Sequence, residues 1–139
     1  MSFARKAYAF FTRLELRHEL PPGVEVMNPY KDRAVRACFK AFLDRHFDDA
    51  RKRALILGIN PSRFGAGITG VAFTDPVALR EFCGVPNAMG DTRELSSTFV
   101  YQVVEAMGGA KQFYKDFFLT ATCPLGFTKH GVNYNFYDH

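Results

Sequence analysis

Apolar residues at positions 3, 7, 10, 11, 14 and 16 recur at near-helical spacing among Arg5, Lys6 and Arg13. This rhythm predicts an amphipathic helix from residue 3 to about 19, ended by Pro21-Pro22-Gly23. Residues 24 to 27 form a short extended piece, and Asn28-Pro29 reads as a cap and first turn for a second helix. Its stripe of Val35, Cys38, Phe39, Phe42, Leu43 and Phe47 runs to about residue 48 and is expected in the core. Residues 54 to 59 form an apolar run entered from Arg51-Lys52-Arg53 and left at Asn60-Pro61, the pattern of a buried parallel strand. Gly65, Gly67 and Gly70 follow it in a segment read as loop, unable to continue a strand and not expected to be helical.

Asp75-Pro76 repeats the capping signature for a short helix through about Phe82, and residues 85 to 95 look irregular. Ser96, Ser97 or Thr98 caps a further helix whose apolar positions include Phe99, Val100, Val103, Val104 and Met107, stopped at Gly108-Gly109. Residues 113 to 117 lead into a second buried strand over 118 to 123, ended by Pro124. Strand, helices, strand makes a right-handed crossover, so the two strands should lie parallel and adjacent. The remainder, GFTKHGVNYNFYDH, has no period and reads as a loop cut short. No internal repeat or low-complexity tract interrupts residues 1–139, read as one α/β domain.

Composition adds limits. At 47% hydrophobic and 15% aromatic, the chain can bury a core. No apolar run reaches the 18 residues of a membrane span, and charges punctuate the amino terminus, which argues against a secretory signal. Cys38, Cys83 and Cys123 are odd in number and widely spaced, so neither a disulfide framework nor a metal site is signalled, and a reducing cytoplasm is the expected compartment. Residues 1 to 53 hold twelve Lys and Arg against seven Asp and Glu. That basic third suits either phosphate contact or a solvated helical face.

In an open α/β sheet, ligands bind beyond the carboxyl ends of the strands, which directs attention to residues 60 to 74. Gly65-Ala66-Gly67-Ile68-Thr69-Gly70 matches GxGxxG, but five residues separate Ile59 from Gly65 and the glycines lead into Val71-Ala72-Phe73. A dinucleotide fingerprint needs them directly after the strand with a helix beginning among them, and no P-loop Lys-Ser/Thr follows. Small residues do let main-chain amides approach a planar ligand, Asn60 can orient a water, and Phe73 can stack on a ring, which are the parts of a nucleobase pocket. Taken singly, Asn60 also fits a strand-end turn residue and Phe73 fits simple core packing.

The run GINPSRFGAGITGVAF resembles the first motif of the uracil-DNA glycosylase superfamily, in particular its single-strand-selective monofunctional type and, within that, the second bacterial subgroup. The likeness continues through Glu94-Leu95-Ser96-Ser97, the Gly-Gly and Phe-Tyr pairs at 108 to 114, and Ala121-Thr122-Cys123-Pro124-Leu125, covering about residues 24 to 137. It implies a three-layer α/β/α sandwich around a short parallel sheet, a DNA partner, no cofactor or metal, and a monomer. It implies base-excision repair, in which a damaged base is flipped from DNA and its N-glycosidic bond hydrolysed. By resemblance, Asn60 orients the water, Phe73 stacks on the base, amides around Ile59 and Gly65 to Gly70 meet the base edge, and Ser62 and Arg63 lie toward the DNA backbone. Ser62 departs from the family's usual Gly, and Ala121 stands where better-known members carry a pyrimidine-reading Asn, which widens the expected range to deaminated purines. The family's second motif, a His-Pro loop, matches neither Lys129-His130-Gly131 nor His139, so a truncated chain with an exposed apolar edge is expected, as is the alternative of a non-catalytic nucleic-acid-binding fragment.

Overall fold

A computed structural model describes residues 1–138, with the backbone alone at Phe136. In chain order it contains α1 (Phe3–Phe11), β1 (Val24–Met27), a 3₁₀ turn (Pro29–Lys31), α2 (Arg33–Phe47), β2 (Ala54–Gly58), α3 (Ala66–Thr69), α4 (Pro76–Glu81), α5 (Leu95–Ala106), α6 (Ala110–Asp116), β3 (Phe117–Ala121), β4 (Gly126–Lys129), β5 (Val132–Asn133) and a last 3₁₀ turn (Phe136–Asp138).

The expected parallel pair is present. β2 and β3 run side by side from Ala54 opposite Phe117 to Gly58 opposite Ala121. Thr122 N–H and Cys123 N–H extend the ladder to the carbonyls of Gly58 (2.9 Å) and Ile59 (3.0 Å). A second sheet, antiparallel in the order β1-β4-β5, lies outside this pair. The core gathers Phe3, Phe11, Phe39, Phe42, Phe47, Tyr114 and Phe118 from α1, α2, α6 and β3, with ring centroids mostly 5 to 6 Å apart. Strand β2 is the exception to the expected burial. Leu55 and Leu57 are 60% and 58% exposed. Among the described residues it has a neighbour on one side only, and little covers its remaining surface.

Several boundaries differ from the pattern for local reasons. Helix α1 stops at Phe11, not near residue 19: Thr12 Oγ1 turns back to donate to Tyr8 O (2.7 Å), and Asn28 Nδ2 donates to Leu14 O (2.8 Å), fixing Leu14 in coil. Asn28 caps only the 3₁₀ turn, whereas Asp32 caps α2 through Oδ1, which accepts from Ala34 N–H (2.7 Å) and Val35 N–H (3.1 Å). No serine or threonine of residues 96 to 98 caps α5; Glu94 holds that place and Ser97 is buried, accepting from Asp75 N–H. Residues 110 to 116 form α6 before the strand begins, and the tail read as loop forms the β4–β5 hairpin. The glycine loop contains α3, one turn of helix closed by Gly70 at φ 73°, in place of the loop without helix expected there.

Charge in the basic third is partly internal. The Arg53 side chain is fully buried, donating to both carboxylate oxygens of Asp49 (2.8 and 2.9 Å) and to Tyr114 O (2.7 Å), and lies over the Phe47 ring. This pair holds the Asp49 carboxyl at about 2, well below its ordinary value. His46, near the end of α2, donates from Nε2 to Cys83 O (2.9 Å), because a carbonyl only accepts, and its buried Nδ1 has no partner among the described residues. Burial first, and the Arg45 charge second, lower its pKa below the ordinary 6.5. The unfolded chain therefore binds this proton at higher pH than the folded one, so stability is lost as pH falls below about 6.5, while Asp49 stays ionised. Urea midpoints between pH 7.5 and 5 should fall in the wild type and fall less steeply in His46→Gln; equal slopes would contradict this assignment.

Candidate active site

The cleft at the carboxyl ends of β2 and β3 encloses about 650 Å³ of empty space, its open mouth included. Phe11, Tyr30 and Phe39 reach it from the core, the turn after β2 supplies Ile59, Asn60 and Ser62, and the segment after α3 supplies Gly70 to Phe73. Glu94 and Ser96 contribute from the start of α5, and Thr120, Ala121 and Pro124 from β3 and beyond.

Asn60 is held at one end only. Its Nδ2 donates to Pro61 O (3.2 Å), an atom that can only accept, so the amide orientation is fixed by chemistry. Its buried Oδ1 has no partner among the described residues. A buried acceptor left empty costs about 1–3 kcal/mol, so a ligand or water proton arriving there is strongly favoured.

Phe73 has φ 54°, a left-handed backbone that a bulky residue adopts only when its surroundings impose it. Its ring lies against Gly58 at the end of β2, where a Cβ would stand 2.6 Å from Cζ. The backbone around it is fastened by fully buried hydroxyls. Thr69 Oγ1 donates to Thr74 O (2.6 Å), and Thr74 Oγ1 donates to Ala72 O (2.9 Å). Thr74 Oγ1 has then used its only proton and must accept from Tyr101 O–H (2.7 Å), which in turn accepts from Tyr114 O–H (2.8 Å) and Cys83 S–H (3.0 Å). Burial raises both phenols and pushes the Cys83 thiol up to about 12, so every donor keeps its proton. Tyr101→Phe would take a hydrogen bond from each of three buried polar groups, Thr74, Cys83 and Tyr114. Its urea midpoint should report a loss of about 2 kcal/mol or more, and a loss under about 0.5 kcal/mol would show the chain of hydroxyls to be unimportant.

The remaining candidates separate. Ile59, Gly70 and Ala121 line the cleft with Asn60 and Phe73, Gly70 also accepting the Tyr30 hydroxyl proton at its carbonyl (2.6 Å). Ser62 lines it too, its Oγ donating to Glu94 Oε1 while accepting from Phe64 N–H (3.3 Å). Gly65 sits behind this pair, and a Cβ there would strike Glu94 Oε2. Arg63 points away, exposed, with its guanidinium 4.3 Å from the Phe64 ring centroid. The N–H groups of Gly67, Ile68, Thr69 and Gly70 are already engaged with the carbonyls of Ser62, Gly65 and Ala66. Glu94 is the cleft residue that pattern reasoning overlooked; its place in the matched run 94 to 97 was the available signal. His130 stands at the β4–β5 turn with φ 51°, its ring beside Gly23 and outside the cleft, while His139 lies outside the described residues. Among the described residues no three metal-ligating side chains stand together, and no helix is long and apolar enough to cross a membrane.

No family model and no curated protein matches the sequence. Among solved structures, the crystal structure of wild-type Pedobacter heparinus SMUG2 is similar over 100% of this chain, with 42% identity and a TM-score of 0.94. The chain spans 62% of the length of that protein. Over its whole length the chain is thus similar to a solved member of the uracil-DNA glycosylase family, and its α/β fold is the fold of that protein.

Proposed function

We propose that the protein is a monofunctional DNA glycosylase that takes a deaminated base, extruded from DNA, into this cleft and hydrolyses its N-glycosidic bond. The observation that carries the reading is the empty, buried Oδ1 of Asn60 at the mouth of the parallel strands. In this reading, Oδ1 accepts a hydrogen bond from a water and aims its oxygen at C1′ of the flipped nucleotide. The C1′–N bond breaks as the C1′–O bond forms, the electron pair leaves with the base, and the water's second proton passes to solvent. Asn60 orients and does not take a proton, since an amide oxygen is a poor base. The Phe73 ring packs on the base, Ile59, Gly70 and Ala121 bound it, and main-chain N–H groups near Ile59 face the charge that develops on it. Arg63 is free to meet a phosphate. No metal or organic cofactor enters this chemistry. The protein acts as a monomer in the cytoplasm, on the nucleoid DNA of a bacterium.

Matched oligonucleotides, single-stranded and duplex, carrying one uracil, hypoxanthine or xanthine, test the reading. Incubation followed by alkali should break the strand at the modified position, and free base should appear in solution. Intact strands, together with salt-sensitive binding indifferent to the base, would instead identify a nucleic-acid-binding module that uses the basic residues of the first third.

A further inference from the structure

We propose that Glu94 is the specificity-determining residue of the cleft, reading the ring N–H that deamination creates; the inference rests on the glycosylase reading above. Ala121 offers only a methyl group to a bound base. Of the polar side chains on the walls, Tyr30 is committed to Gly70 O, Asn60 Nδ2 to Pro61 O and Ser62 Oγ to Glu94 Oε1, while Ser96 and Thr120 offer hydroxyls, which donate as readily as they accept and so cannot tell a lone pair from an N–H. Glu94 is differently placed. Ser62 Oγ holds Oε1, the Glu94 N–H is fixed by Asp75 Oδ2 (2.9 Å), and Asp75 itself caps α4 by accepting from Ala78 N–H (2.8 Å). Glu94 is thus anchored at its backbone and at one carboxylate oxygen, and Oε2 has no partner among the described residues. Gly65 is needed beside it, because any side chain there would collide with that oxygen.

A carboxylate oxygen accepts and cannot donate. Cytosine N3 and adenine N1 carry lone pairs, and deamination to uracil and hypoxanthine turns each into an N–H. Oε2 therefore meets a donor in the damaged base and a repelling lone pair in its parent, which is discrimination by attraction and repulsion together. One acceptor serves a pyrimidine and a purine alike, and so replaces an amide at position 121. Xanthine and guanine share an N1–H, so Glu94 is neutral between them. A fixed negative charge also opposes the charge developing on the leaving base, so this reader lowers rate in exchange for selectivity.

The test uses the full chain and two single-stranded oligonucleotides, one with uracil and one with 3-methyluracil, in which a methyl group replaces the hydrogen of the ring N–H and both carbonyls are kept. The wild type should favour uracil in kcat/KM beyond the preference of Glu94→Ala by at least about tenfold. Glu94→Gln, whose amide oxygen keeps the Ser62 bond and turns an NH₂ toward the base, should also lose the preference while remaining folded. Equal uracil to 3-methyluracil ratios in all three proteins, whatever their absolute rates, would make Glu94 a loop anchor and overturn the proposal. If the wild type excises neither base, the same ratio is read as binding by fluorescence anisotropy. A uracil preference lost in both variants then upholds Glu94 while the hydrolytic reading fails, and no preference in the wild type overturns Glu94 as well.

Discussion

Asn60→Ala should lower single-turnover base excision by about 10²–10⁴-fold while leaving affinity for single-stranded DNA within about twofold. The size follows from what is removed. Oδ1 has no partner among the described residues, so on the proposed reading the substitution takes away the acceptor for the water and little else. Deleting a buried, unsatisfied acceptor also relieves its desolvation penalty, so the variant should melt no lower than the wild type. What the fold gives up is the Nδ2 bond to Pro61 O, long at 3.2 Å. A strand-end residue that merely caps its own turn would show the reverse: lowered stability and unchanged excision. Excision assays, anisotropy and thermal melting on one preparation separate the two.

Gly58→Ala should cost excision about 10- to 100-fold with the fold intact. The new Cβ would stand 2.6 Å from Phe73 Cζ and 3.1 Å from Cε2, closer than carbon atoms approach. The ring's far end yields before the strand does, since Gly58 sits in a regular parallel ladder opposite Ala121. Phe73 is already held in a strained conformation by Thr69, Thr74 and Tyr101, so a displaced ring has few alternative positions near the cleft. If Gly58→Ala acts through Phe73, then adding Phe73→Ala should lower the rate little further, a non-additive pair in a double-mutant cycle. Additive losses would assign Gly58 a separate role.

The parallel pair and the turn after β2 were legible in the sequence because each rests on short-range chemistry: a branched apolar run bounded by charge on one side and Asn-Pro on the other. The aromatic stripe of α2 was legible for the same reason, and five of its residues are buried. Tertiary contacts decided the rest. Leu14 sits at helical spacing from Phe10 and Phe11, yet Asn28 claims its carbonyl and ends the helix. The β4 strand pairs with β1 across about a hundred residues, a partnership that no local period in GFTKHGVNYNFYDH announces. Within the cleft, Asn60, Phe73 and Ala121 followed from the motif, but Glu94 reaches Ser62 from 32 positions away. The exposure of Leu55 and Leu57 matches the apolar edge expected of the chain, although the strand itself had the composition of a buried one.

The central claim is that this cleft holds an extruded base with a water on Asn60, and a complex with an uncleavable substrate tests it most directly. A 2′-fluoro group on the uracil nucleotide withdraws electron density from the sugar and disfavours the oxocarbenium-like transition state, so the bound state persists. The crystal structure of the chain with a short single strand carrying that nucleotide should place the uracil ring against Phe73, with a water bridging Asn60 Oδ1 and C1′. A strand lying outside the cleft, or a uracil seated there with Asn60 Oδ1 turned away from the sugar, would contradict the account.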